Sequence, residues 1–249
     1  MGDFAPMNLA GALLYGFANL LHPRMLWLMV WPMLVSLLFW SAVAAAFWDR
    51  LAAALGALFQ RWLAPAAGFL HLDLGGATIV AAFVVLVLLL VPLVYLTALF
   101  ILGAFGMQKM VDHVAQRSFP ALERRGGGSV AGSVWNSVAA LGGMAMLFLI
   151  SLPLWLLPPL WPLIPLAIFA WTNQKLLRYD ALAEHADAPE MARLFRERRG
   201  ALLTLGLMFA LLAYVPFVGF IAPVLFGLAF IRYLLGGLDE LRGAAPGLD

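Results

Sequence analysis

Cysteine is absent from this chain, and charged residues are scarce. Of its 249 residues none is cysteine, and only 11% are Asp, Glu, Lys or Arg. The first absence excludes disulfide bonds, cysteine-ligated zinc and thiol catalysis. The second falls well below the roughly 25% of charged residues in a typical soluble domain. Because 64% of the residues are hydrophobic, the composition predicts an integral membrane protein.

Common catalytic and cofactor motifs are also missing. The four histidines are scattered without an HExxH pair or another metal-ligand spacing, so each is interpreted as an interfacial residue. The three glycines at 126–128 are not followed by the GK[ST] of a phosphate-binding loop, and no GxSxG is present. We therefore expect no enzyme activity, no catalytic residue, no metal and no cofactor.

The net charge of +2 does not predict a nucleic-acid partner. The basic residues of the chain lie in short gaps between apolar blocks, which is the pattern that orients a protein in a bilayer. The expected partner is the lipid bilayer itself.

Two uncharged stretches each predict one full membrane crossing. The first has 24 residues between Arg24 and Asp49, and about 20 residues are enough for a membrane-spanning helix. It predicts a first transmembrane helix at residues 25–48. The second has 35 residues and predicts a long helix at residues 77–117, which continues beyond the bilayer as a polar stalk.

Three other segments complete an all-α membrane domain covering residues 1–249. Residues 4–21 predict a helix that lies along the membrane interface. Residues 134–177 and 200–236 predict two helical hairpins that are interrupted by proline, and residues 178–199 form a charged connector between them. An internal proline removes a helix hydrogen bond and clashes with the preceding turn. The predicted hairpin tips are Pro153, Pro158, Pro159, Pro162, Pro165, Pro216, Gly219 and Pro223.

The second hairpin is predicted to be too short to cross. Its first unbroken arm, residues 201–215, gives about 22 Å of helix against a hydrocarbon core of about 30 Å. The arm after Pro223 reaches Leu235 and is shorter still. Both hairpins are therefore predicted to be re-entrant, and repeated interrupted segments of this kind indicate a solute path. Simple packing kinks in ordinary helices are the alternative.

Lysine and arginine counts predict the orientation. Only Arg50 and Arg61 lie between the two full helices, and the other 13 of the 15 basic residues fall on the opposite side. By the positive-inside rule that side is cytoplasmic and holds both termini.

The charged connector also predicts a network of ion pairs. Its opposite charges recur at spacings of three and four residues, which places them side by side on a helix. Such a network could set a gate, whereas the alternative is a solvated connector. The candidate network consists of Asp112, Arg117, Tyr179, Asp180, Glu190, Arg198 and Arg199.

Several segments resemble one membrane protein family. They are Tyr179-Asp180, then Glu190-Met191, Leu194, Arg196 and Arg198-Arg199-Gly200 before the Pro216 and Pro223 interruption, with LLHPRMLWLMVWPMLVSLLFW and GAFGMQKMVDHVAQR upstream. They are similar to the CysZ-type sulfate permeases and the wider etoposide-induced-protein-like superfamily. The resemblance implies an oligomeric, all-helical protein of the bacterial inner membrane, with partly penetrating hairpins, that passes sulfate inward.

This chain departs from the family pattern at its anion site. Similar proteins carry adjacent arginines where Leu26 and Trp27 stand here, which leaves Arg24 as the candidate substrate-binding residue. A dianion that leaves water needs several donors or positive charges. Two hypotheses follow: a permease for a small oxyanion, with sulfate first, or a non-transporting membrane scaffold that has lost the anion site.

Overall fold

The computed structural model describes residues 8–70, 75–212, 214–215 and 218–243. Within these ranges the chain forms eight α-helices and three short 3-10 helices, with no β-strand. The all-α prediction is confirmed. Two compact units divide the chain, one formed by residues 1–27 with 105–249 and the other by residues 28–104.

The smaller unit contains most of the two longest helices. They are α2 (Pro23–Leu70) and α3 (Gly75–Ser118). The Trp40 indole nitrogen donates a 2.9 Å hydrogen bond to the Thr97 hydroxyl, and the Trp48 ring meets the Phe83 ring edge-on at 5.6 Å. These contacts hold the apolar parts of the two helices together.

Helix α2 extends well past the predicted end at residue 48. It has 48 residues, because Asp49 and Arg50 do not interrupt a helix and the residues after them are rich in the strong helix formers alanine and leucine. The predicted segment 25–48 is therefore one part of a longer helix, and the boundary was wrong as a helix end.

The proline cluster forms the turn of a helical hairpin in the larger unit. Helices α4 (Val130–Ser151) and α5 (Leu163–Leu182) pack against each other. Two 3-10 helices, Leu152–Leu156 and Pro158–Leu160, join them. Pro153, Pro158 and Pro159 lie in these 3-10 helices, Pro162 caps α5, and Pro165 follows in its first turn. Proline is tolerated there because the first turn of a helix has no partner for its amides.

The second interrupted segment joins two helices of unequal length. Helix α7 (Arg199–Leu212) has 14 residues, and α8 (Ala222–Gly243) has 22. Gly219 lies in the 3-10 helix Val218–Phe220 and Pro223 in the first turn of α8, whereas Pro216 falls outside the described residues.

The prediction that the second arm of this hairpin is the shorter one is wrong. Helix α8 continues past Leu235 to Gly243 because its charged residues find partners on neighbouring elements. Arg242 pairs with Glu190, and Glu240 pairs with Arg198.

Helix α8 is also the core of the larger unit. Every residue from Val224 to Ile231 is buried. Helix α1 (Leu9–Leu20) packs on it through its small residues, since a Cβ at Gly16 would lie 2.8 Å from the Leu225 carbonyl oxygen. The start of the predicted segment 4–21 lies outside the described residues, and the interfacial location of α1 stays a prediction.

Three helical segments are long and apolar enough to span a membrane, against two predicted crossings. They are Pro23–Leu63, Gly76–Gly103 and Ala131–Leu156, and their most apolar windows are 6% to 17% buried. The third is the first arm of the first hairpin. Apolar side chains left exposed over such lengths need a lipid solvent, so the chain is a membrane protein. How deeply the hairpins enter stays a prediction.

Candidate functional site

Two imidazoles and two arginines gather in the larger unit, where α1, α2 and the stalk end of α3 meet. We call His22, Arg24, His113 and Arg117 the basic cluster. His113 is 9% exposed, and its ring centre lies 4.8 Å from that of His22. Arg24 and Arg117 are assigned to the same group because their charges lower the pKa of His113.

The turn between α1 and α2 positions His22. Its backbone amide donates to the Asn19 carbonyl over 3.0 Å, and its own carbonyl accepts from the amides of Met25 and Leu26. The ring nitrogen Nδ1 of His22 accepts a 3.3 Å hydrogen bond from the Arg24 amide. Pro23 opens α2 at a position where its fixed φ suits a helix start. The turn therefore fixes the histidine next to the arginine.

Asn19 links this turn to the stalk. Its side-chain oxygen lies 3.3 Å from Nε2 of His113, and its side-chain amide donates to the Tyr15 carbonyl over 2.9 Å. An amide oxygen accepts, so Nε2 of His113 carries the proton in this contact.

The basic cluster favours a neutral His113. Burial lowers the pKa of His113, and the charges of His22, Arg117 and Arg24 lower it further. Arg24 and Arg117 are exposed, and neither has a carboxylate partner among the described residues. The cluster is thus a positive region without an acidic partner in the described part of the chain.

A separate ion-pair network lies on the charged connector. Glu190 is its centre, with a side chain that is only 12% exposed. Its Oε1 accepts from Arg125 at 3.0 Å and from Nε of Arg242 at 2.9 Å, while its Oε2 accepts from Nη2 of Arg242 at 2.9 Å. These bonds from Arg242 lower the pKa of Glu190.

Arg242 ties α8 to three other segments at once. Besides Glu190 on α6 (Ala188–Glu197), it donates to the carbonyl oxygen of Glu123 at 2.9 Å and to that of His185 at 2.7 Å. The α6 helix begins with a capping box, in which Asp187 accepts from the Glu190 amide and Glu190 from the Asp187 amide. The network therefore fixes the ends of several elements.

Two further arginines extend the network. Arg124 pairs with Asp112 at 2.5 Å and with Glu184 at 3.2 Å. Arg198 pairs with Glu240 and donates to the Tyr233 hydroxyl at 3.3 Å. Arg124 joins α3 to the turn after α5, and Arg198 joins the end of α6 to α8.

The remaining candidates on α5 and α7 do not join the network. Asp180 is mostly buried with an unpartnered Oδ1, and burial raises its pKa although Ser133 donates a hydrogen bond to it. The Tyr179 hydroxyl accepts from the Ser129 amide at 3.5 Å. Arg199 is exposed and makes no ion pair within the described ranges.

A model of the family described as sulfate transporter CysZ/etoposide-induced protein 2.4 matches residues 12–223. The chain belongs to this family. The resemblance expected from the sequence is confirmed. No curated protein and no solved structure matches the chain.

For this CysZ/etoposide-induced family member, the structure places five of the predicted site residues in two groups. Arg24 and Arg117 lie near His113 in the basic cluster, whereas Asp112, Glu190 and Arg198 belong to the ion-pair network. Tyr179, Asp180 and Arg199 join neither group. Their roles as site or gate residues stay predictions.

Sequence reasoning missed the residues that complete both groups. They are His22 and His113 in the basic cluster, with Asn19 bonded to His113, and Arg124, Arg125 and Arg242 in the ion-pair network. His22 and His113 were each interpreted alone, since 90 residues separate them. Their approach gives no metal site: the described residues hold no group of three His, Cys, Asp or Glu that could bind an ion.

Proposed function

We propose that this protein is a membrane permease for a small oxyanion, with sulfate as the first candidate. Membership of the CysZ/etoposide-induced family supports transport as the general role. The basic cluster is the observation that carries the choice of an anion, because it collects Arg24, Arg117, His22 and His113 without a neutralising carboxylate.

The basic cluster supplies more positive charge than the single arginine that the sequence alone offered for binding an anion. A single arginine cannot offset the dehydration of a sulfate dianion, which needs several donors or charges. Arg117 supplies a second guanidinium from a helix far along the chain. A neutral imidazole still carries one N–H donor. The Nε2–H of His113 bonds Asn19, but Nδ1 of His22 accepts from the Arg24 amide, so neutral His22 can offer its Nε2–H to an anion. In this proposal Arg24 and Arg117 bind the anion and the histidines line the site.

The ion-pair network is proposed to be the frame that holds this site. Arg242 and Glu190 fix α8 against α6 and two loops, and α8 carries α1 on its buried surface. The gate role of Asp112, Tyr179, Asp180, Glu190, Arg198 and Arg199 is part of the same proposal.

The setting proposed for the permease is the bacterial inner membrane, with both termini in the cytoplasm. The lysine and arginine distribution supports that orientation. Re-entrant hairpins and a homo-oligomer complete the proposal, with the bilayer and the oxyanion as its partners.

Uptake of radiolabelled sulfate into proteoliposomes tests this function. We expect uptake above that of empty liposomes, and a loss of about tenfold in each of the variants Arg24→Gln and Arg117→Gln, as for the loss of a charge-assisted hydrogen bond. Arg196→Gln is the matched control, because Arg196 is an exposed arginine of α6 without an ion pair among the described residues.

Each alternative outcome has a clear meaning. Wild-type uptake equal to that of empty liposomes removes the permease and leaves the non-transporting scaffold. Uptake that falls equally in all three variants assigns the effect to net charge and removes the basic cluster as the site.

A further inference from the structure

Arg232 lies on the core helix α8 without an acidic partner. Its guanidinium carbon is 5.1 Å from the centre of the Tyr15 ring and 4.6 Å from that of the Phe119 ring. Its Nη1 atom is buried and has no hydrogen-bond partner among the residues that the structure describes. No carboxylate among the described residues pairs with it. The two aromatic rings therefore contact a positively charged guanidinium whose buried Nη1 has no hydrogen-bond partner among the described residues.

The Tyr15 hydroxyl is a second unsatisfied group at the same place. Its oxygen is buried and also lacks a hydrogen-bond partner in the described part of the chain. Because the Tyr15 ring packs directly on the Arg232 guanidinium, the two unpartnered atoms belong to side chains in contact. A buried donor without an acceptor costs about 1–3 kcal/mol, and a charged donor costs more. Two such groups side by side in a native core need acceptors that the described protein atoms do not supply.

The chemistry of the two groups selects the ligand. A guanidinium donates only, and a tyrosine hydroxyl also donates, so the ligand must offer acceptor oxygens. Water offers acceptors but leaves the buried charge uncompensated, whereas an oxyanion supplies both acceptors and a negative charge. A metal cation is excluded by the positive charge of Arg232.

The position of this pair connects it with the basic cluster. Tyr15 and Asn19 are one turn apart on α1, and Asn19 binds both the Tyr15 carbonyl and His113. Phe119 directly follows the stalk end of α3, which carries His113 and Arg117. Arg232 is only partly buried as a whole.

We propose that Arg232 and Tyr15 form a second binding site for a free oxyanion, which we call the station. It lies one helical turn along α1 from Asn19, the residue that bonds His113 of the basic cluster. In a permease the anion passes between the two stations, so the role in transport rests on the proposed function. Binding at the station does not depend on it.

Equilibrium binding of radiolabelled sulfate to the purified full-length chain tests the station. The background is the double variant Arg24→Gln/Arg117→Gln, which removes both arginines of the basic cluster. We expect this variant to retain sulfate binding, and the addition of Tyr15→Phe to weaken it about tenfold. Arg232→Gln in the same background should weaken it at least as much, and Arg196→Gln should leave it unchanged.

The Tyr15→Phe change keeps the ring that stacks on Arg232 and removes only the hydroxyl, so it tests the site even if Arg232→Gln does not fold. Absence of sulfate binding in the double variant overturns the station. Binding that survives both Tyr15→Phe and Arg232→Gln also overturns it.

Two further arms separate the ligand source and the function. Binding is measured in nanodiscs of phosphatidylcholine and of phosphatidylglycerol, and equal affinity is expected. Loss of sulfate binding in phosphatidylglycerol alone assigns the site to a lipid headgroup and overturns the free-anion proposal. Sulfate binding that depends on Tyr15, found together with no uptake into proteoliposomes, supports the station while it removes the permease.

Discussion

Arg242 and Glu190, 52 residues apart, form a two-point ion pair that joins the end of α8 to the start of α6. Both contacts measure 2.9 Å, and the side chains are only 16% and 12% exposed. A guanidinium and a carboxylate in this parallel geometry form the strongest class of hydrogen-bonded ion pair. The C-terminal helix is therefore anchored to the connector at one well-defined point.

Loss of this pair should destabilise the larger unit. For Glu190→Gln we expect a loss of about 1–3 kcal/mol in the free energy of unfolding, because Arg242 and Arg125 lose their charged acceptor. Thermal unfolding of the purified protein in detergent measures the change. The matched control is Glu197→Gln, whose pair with Arg193 has side chains 45% and 57% exposed and should contribute less than about 1 kcal/mol. Equal losses in the two variants would contradict a special role for Glu190.

Acid should weaken the same anchor. The folded-state pKa of Glu190 is lowered, so the pair contributes stability above the unfolded pKa of about 4.5 and loses it as the pH falls through the folded value. We expect the wild-type melting temperature to fall below about pH 4.5, and the Glu190→Gln variant to show a smaller fall. Parallel pH profiles of the two proteins would speak against this assignment.

His113 should add a pH dependence nearer neutrality. Its folded-state pKa is lowered by burial and by His22, Arg117 and Arg24. A neutral folded form gives stability that is present above the unfolded pKa of about 6.5 and is lost as the pH falls below it. His113→Gln should flatten the melting profile below about pH 6.5, while His185, whose pKa is also lowered by burial, keeps part of the slope. An unchanged slope in His113→Gln would rule out this contribution.

Gly206 should be essential to the packing of α7 on α5. A Cβ there would collide with the backbone carbonyl oxygen of Ala170, which cannot move aside as a side chain would. Gly206→Ala should cost about 1–3 kcal/mol, as overpacking does. Gly142→Ala is the control, since nothing lies within 4 Å of its added Cβ and alanine favours a helix by about 1 kcal/mol. Thermal unfolding compares the two variants, and a Gly206→Ala protein as stable as wild type would refute the close approach.

The smaller unit offers one test of its own. The hydrogen bond from the Trp40 indole to the Thr97 hydroxyl joins α2 to α3. Thr97→Val should cost about 0.6 kcal/mol, the average for an interhelical hydrogen bond in a membrane. Thr204→Val is the control, because the Thr204 hydroxyl bonds only the Gly200 carbonyl one turn earlier in its own helix. Thermal unfolding of both variants in the same detergent measures the two stability losses, and the loss for Thr97→Val should be the larger.

The sequence by itself determined the solvent, the all-α class and the family of this protein. Composition and hydropathy are sums over residues, so they can be evaluated without knowing which residues are neighbours in the folded protein. The proline cluster from Pro153 to Pro162 was likewise predicted to be a turn from the sequence, because the missing amide hydrogen of proline disrupts the helix within one turn.

Only the tertiary structure decided which polar residues meet. His22 and His113 lie on different helices, and so do Glu190 and Arg242, and no spacing along the chain predicts either pair. The true end of α8 was missed for the same reason. Its charged residues indicate the end of an apolar segment when they are considered alone, but ion pairs with distant partners allow the helix to continue. A buried charge is stable only beside its partner, and packing alone decides where that partner lies.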